Sequence, residues 1–155
     1  MNYTTQMDAA RKGILTNQMK DVLKEEKISK ELLMEGIAQG TIAVPANKNH
    51  HNLIGKGVGK GLKTKINVNL GVSKDCFNID MELEKVRKAV ELKTDSIMDL
   101  SIFGDTRNFR RKMVETSPVM LGTVPVYDAL CYYDKPAPEI TVDELFKVVE
   151  MHMED

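Results

Sequence analysis

The sequence predicts an α/β fold, a helical amino-terminal segment followed by about three strand–helix units of a (β/α)8 barrel. Three observations predict it. Up to Gly40 apolar residues recur at helical spacing. After Lys65 short apolar runs alternate with helical patterns, the signature of right-handed βαβ units in a parallel sheet. A complete barrel takes ~250 residues, so this chain of 155 holds part of one. Residues 1–64 form the helical segment and a long loop, and residues 65–155 an incomplete parallel βα barrel portion.

In chain order, helices are expected over 6–12, closed by Gly13, over 16–24, and over 29–39, closed by Gly40. Glycine is the usual stop because it accepts the left-handed conformation. A short strand over 41–45 ends at Pro45, and a polar, glycine-rich loop over 46–63 follows. Loops of that length inside compact domains are functional or mobile, which makes this the first place to look for a ligand. Next come a strand over 66–70 and a helix over 82–92, with Asp80 as N-cap and Glu82 and Glu84 in the first turn. A strand over 96–101 precedes a helix over 106–115, and a third strand spans 119–126. After the Pro136 and Pro138 loop, Thr141 and Glu144 form a capping box for a helix that presents Leu145, Val148, Val149 and His152 on one face. With three strands only, Ile66, Val68, Ile97 and Val124 stay partly uncovered, so aggregation or domain-swapped association is expected of the chain in isolation.

Composition bounds the function. The chain is 42% hydrophobic and 29% charged, a globular rather than disordered balance. With 22 basic and 23 acidic residues the net charge is −1, so no overall field draws it to nucleic acid or anionic membrane. No apolar stretch approaches the ~20 residues of a membrane span, and the opening residues lack the core of a secretory leader. A cytoplasmic, reducing location is therefore expected. Cys76 and Cys131 are far apart and read as ordinary reduced thiols.

Several motif-like features carry little. The run Gly55-Lys56-Gly57-Val58-Gly59-Lys60-Gly61 matches neither GxGxxG nor GxxxxGK[ST] and precedes a strand, so it reads as a flexible loop. His50 and His51 are adjacent, with no acidic or thiol partner at ligand spacing, and read as surface loop residues. His152 reads as a partly buried core histidine. No GxSxG elbow serves Ser73, Ser101 or Ser117, and no metal site is expected.

More informative are the polar residues near strand carboxyl ends, where active sites of parallel barrels assemble. Asn67 and Asn69 share one face of the first strand, Asp99 and Ser101 close the second, and Thr123 and Tyr127 close the third. Three strands would thus deliver amide, carboxylate, hydroxyl and phenol groups to a common mouth.

Those residues lie in segments that resemble one family: YTTQMDAARKGI at 3–14, VPANKNH at 44–50, KINVNLG at 65–71, MDLS at 98–101 and SPVMLGTVPVY at 117–127. In this order they are similar to the signature segments of the phosphomethylpyrimidine synthases, from residue 2 to near the last residue. The resemblance implies the amino-terminal part of a cytoplasmic, homodimeric radical S-adenosylmethionine lyase of thiamine biosynthesis. That enzyme converts aminoimidazole ribotide to hydroxymethylpyrimidine phosphate with a 4Fe-4S cluster, and carries zinc. The resemblance places substrate contacts on Asn69, Met98 and Tyr127, and the strand-end pattern adds Asn67, Asp99, Ser101 and Thr123 as supporting residues. The family's CxxCxxxxC cluster motif and its zinc histidines have no counterpart in these 155 residues, so the chain alone is expected to be inactive.

Departures from the family pattern leave alternatives open. Leu70-Gly71-Val72-Ser73 stands where Ile-Gly-Asn-Ser is usual, Ile102-Phe103 where Thr-Gly is frequent, and Met120 where proline is usual. One alternative is a synthase making 5-hydroxybenzimidazole from the same ribotide. Another is a truncated, non-catalytic paralogue that binds a ribotide or pairs with a full-length subunit, which the length of the reading frame distinguishes.

Overall fold

The computed structural model describes residues 3–155. Three helices open it, α1 (Gln6–Arg11), α2 (Asn17–Glu25) and α3 (Lys30–Gln39). Each begins at a hydroxyl side chain: Thr5, Thr16 and Ser29 accept from the amides of Asp8, Met19 and Leu32, satisfying donors a helix start leaves open. Ala9, Met19, Val22, Leu33 and Ile37 from the three helices bury one apolar core, joined by Ile42 and Val44.

The glycine-rich run contains a short strand where only a loop was expected. Strand β1 (Ile42–Ala43) pairs antiparallel with β2 (Val58–Gly59) from within the run. Gly59 has φ +149°, and a Cβ there would lie 2.3 Å from the Thr41 carbonyl oxygen, so no other residue fits this approach.

A second core belongs to a parallel sheet, ordered β3 (Asn67–Leu70), β4 (Ser96–Asp99), β5 (Met120–Thr123). The intervening helices are α4 (Ile79–Glu91) and α5 (Thr106–Thr116). Leu70, Leu83, Val86, Ile97, Phe109 and Met113 bury this core between sheet and helices. Ile97 is therefore fully buried, unlike the partly uncovered position expected, whereas Ile66 is 66% exposed. Asn78, two residues before Asp80, is the N-cap of α4 and accepts from the Met81 amide.

The third strand is shorter than its β-favouring residues suggest. It stops at Thr123, and Pro125 opens a helix the sequence pattern did not predict, α6 (Pro125–Tyr133). Proline suits a first helical turn, where its missing N–H is not needed and its fixed φ is already helical. Tyr127 consequently lies in the first turn of α6, not in a strand. A 3-10 turn (Ala137–Glu139) leads to α7 (Val142–Glu154), where the Thr141–Glu144 capping box forms as predicted. Among the described residues no helix is long and apolar enough to cross a membrane.

Candidate functional site

Register decides which strand-end residues meet. Asn69 pairs with Met98 and Met98 with Gly122, so these three form one row across the sheet. Side chains alternate along a strand, so Asn67 and Ser96 share this face, while Leu70, Ile97 and Asp99 point into the helix-covered core. Ser96 Oγ donates to Asn67 Oδ1 (2.8 Å), and Asn67 Nδ2 donates to Asn69 Oδ1 (2.7 Å). This relay holds the Asn69 amide with its oxygen occupied, and among the described residues its NH2 has no protein acceptor. Gly122 leaves room for the Met98 thioether, because a Cβ there would meet Met98 Sδ and Cε at 2.9 Å. The row is thus an exposed amide donor beside a polarisable apolar side chain.

The other expected residues do not join it. Asp99 is 5% exposed and accepts from the Ser101 amide (2.9 Å) and from Ser101 Oγ. Burial pushes its carboxyl up despite those two hydrogen bonds. Ser101 Oγ in turn accepts from the Val72 amide (3.1 Å), and Thr123 Oγ1 meets His152 Nδ1 (2.9 Å). The common mouth foreseen for all these groups is therefore divided: Asn67, Asn69 and Met98 lie on the open sheet face, Asp99 and Ser101 link the end of β4 to the chain after β3 through the Val72 amide, and Thr123 reaches α7.

Tyr127 takes a third position. Its side chain is 43% exposed and lines an open cleft of about 620 Å³, together with Lys74, Ile102, Phe103 and Leu130. That volume is in the range that holds a small ligand. Lys74 and Phe103 follow β3 and β4 respectively, so the cleft opens at the carboxyl end of the sheet. Phe103 is held edge-on by Phe77, with ring centroids 5.4 Å apart.

The long loop makes structural contacts with two helix ends. Asn47 Nδ2 donates to the Met153 carbonyl (3.1 Å) and Asn49 Nδ2 to that of Glu154 (2.7 Å), both at the carboxyl end of α7. Asn52 Nδ2 donates to the Glu115 carbonyl near the end of α5 (3.4 Å). His50 is buried, not on the surface as expected, with Nε2 2.6 Å from the Ser117 carbonyl.

One cluster was not foreseen. Asp128 Oδ1 accepts from Thr106 Oγ1, and Oδ2 from Arg110 Nη1 (3.2 Å) and His152 Nε2 (2.9 Å). Burial raises the Asp128 carboxyl, but the His152 and Thr106 hydrogen bonds and the Arg110 charge outweigh it and hold the carboxyl below its usual range. His152, expected as a core histidine, is the bridge between Thr123 and Asp128. The only local sign was its place on an otherwise apolar helix face.

The sequence matches the model of the Radical SAM ThiC family over residues 5–155. All 155 residues align with a phosphomethylpyrimidine synthase of Clostridium tetani at 56% identity, covering 34% of that protein. They align at 57% with one from Clostridium botulinum and at 59% with one from Clostridium novyi, covering 36% of each. The chain spans about a third of the length of these curated relatives.

Proposed function

The chain belongs to the radical SAM ThiC family, and from that premise we propose that it forms the ribotide-binding part of a phosphomethylpyrimidine synthase of thiamine biosynthesis. The observation that carries the reading is the Asn69–Met98–Gly122 row, an open sheet face with an oriented, unpartnered amide donor. In this reading the three parallel strands are the first of a (β/α)8 barrel, and aminoimidazole ribotide lies against their carboxyl ends. Asn69 donates to a ligand acceptor, Met98 packs on the ring, and Tyr127 offers its phenol from the cleft edge. Homodimer formation belongs to the same reading.

Family membership implies S-adenosylmethionine and an iron–sulfur cluster. The described residues do not fit the cluster. They contain no group of three His, Cys, Asp or Glu side chains able to hold a metal, and Cys76 is exposed beyond β3 while Cys131 lies within α6. A cluster that leaves one iron open to S-adenosylmethionine needs three thiolates. We therefore assign the cluster, and the zinc that the resemblance implies, to sequence outside these 155 residues. The part left to this chain is to bind and orient the ribotide.

Calorimetric titration with aminoimidazole ribotide under reducing conditions tests the reading. Loss of one hydrogen bond costs ~1 kcal/mol, so Asn69→Ala should weaken binding roughly fivefold. An unchanged Kd in that variant would remove the row from the site.

A further inference from the structure

The corner between β5 and α6 lacks the usual means of fixing a helix start. Its N-cap, Val124, makes no side-chain hydrogen bond, yet the next three residues carry the chain from the sheet to Tyr127. The corner is held instead from α7. His152, with a side chain 6% exposed, reaches Thr123 through Nδ1 and Asp128 through Nε2, both at 2.9 Å. These two partners bracket residues 124–127, so a single imidazole spans the corner. Arg110 and Thr106 of α5 grip the same Asp128 carboxylate, and Arg110 is 2% exposed. Among the described residues the Tyr127 hydroxyl has no hydrogen bond of its own, so the ring's position depends on the backbone that carries it.

We propose that His152 is a positioning residue: by clamping Thr123 to Asp128 it fixes the β5–α6 corner and with it the place of Tyr127 in the ligand cleft. The ligand role of Tyr127 rests on the ribotide-binding function proposed for the sheet; the clamp itself stands on the geometry alone. With Asp128 held as a carboxylate, Nε2 carries the proton it donates, and Nδ1 faces a hydroxyl that can give or accept. The corner is therefore tied in either charge state of the ring.

Two measurements on the protein test this. The first is hydrogen exchange without ligand. Both the Tyr127 and Asp128 amides bond to the Val124 carbonyl, at 3.0 and 3.3 Å. In His152→Leu their protection should fall roughly tenfold while the sheet amides stay protected, and His152→Gln, which keeps a donor toward Asp128, should recover part of it. The second is a double-mutant cycle on aminoimidazole ribotide binding, since coupled residues are non-additive. Tyr127→Phe alone should weaken binding roughly fivefold, and should weaken it no further once His152 is Leu. Unchanged corner exchange, or a Tyr127 effect that simply adds to the His152 effect, overturns the inference. Ribotide binding indifferent to Tyr127→Phe with a loosened corner overturns the ligand reading and leaves the clamp standing.

Discussion

Gly71 is the residue on which the carboxyl ends of β3 and β4 depend. Its φ is +146°, and a Cβ would lie 2.6 Å from the Ser101 amide nitrogen and 2.8 Å from the Leu100 carbonyl carbon. Both obstacles are backbone, which cannot swing aside as a side chain can. Gly71→Ala should therefore cost about 2 to 4 kcal/mol in urea denaturation, whereas Gly61→Ala has open space around it and carries only the cost of its left-handed φ. A Gly71→Ala protein with unchanged midpoint would contradict the close approach. Residue-scale legibility followed the same line between local and distant. That Asn67 and Asn69 share a face was readable, because parity along one strand is local. Which face Asp99 and Thr123 take relative to Asn69 was not, because that needs the register between strands.

Elements whose signals are local were read from the sequence, and those decided by a neighbour were not. The α7 start is set by a contact three residues long: Thr141 accepts from the Glu144 amide, and Glu144 accepts from the Thr141 amide and from Lys135 Nζ. By contrast Val124, Val126 and Tyr127 favour strands individually, and only Pro125 hinted at α6. The α7 box also carries a pH signature. The Lys135 and Thr141 hydrogen bonds lower the Glu144 carboxyl from 4.5 to about 2. A carboxyl lowered by folding contributes stability that is fully present above its unfolded pKa and is lost as the pH falls through the folded one. Thermal melts should show the melting temperature dropping between pH 4.5 and about 2. Glu144→Gln keeps an acceptor for the cap but cannot titrate, so its melting curve should fall less over that window; parallel curves would exclude Glu144 as the cause.

At the scale of the whole molecule, contacts distant in sequence decide what each region does. Asn47 and Asn49 meet carbonyls 106 and 105 residues away, so nothing local in the sequence showed that the loop caps the end of α7. The same distance applies to the surface. Val142, Phe146 and Met153 of α7 are 66 to 67% exposed and fall on one helical face, and Ile66 beside β3 is 66% exposed. With β3 and β5 as open edges of a three-stranded sheet, these apolar surfaces should drive copies of the chain together. Sedimentation velocity should show concentration-dependent association of the 155-residue chain. Phe146→Lys places a charge in the middle of the α7 face and should shift the distribution toward monomer without lowering stability, since that side chain is not in the core. A monomer at all concentrations that melts in one cooperative transition would mean that the open sheet and the α7 face tolerate water, and that three strand–helix units suffice as a folded unit.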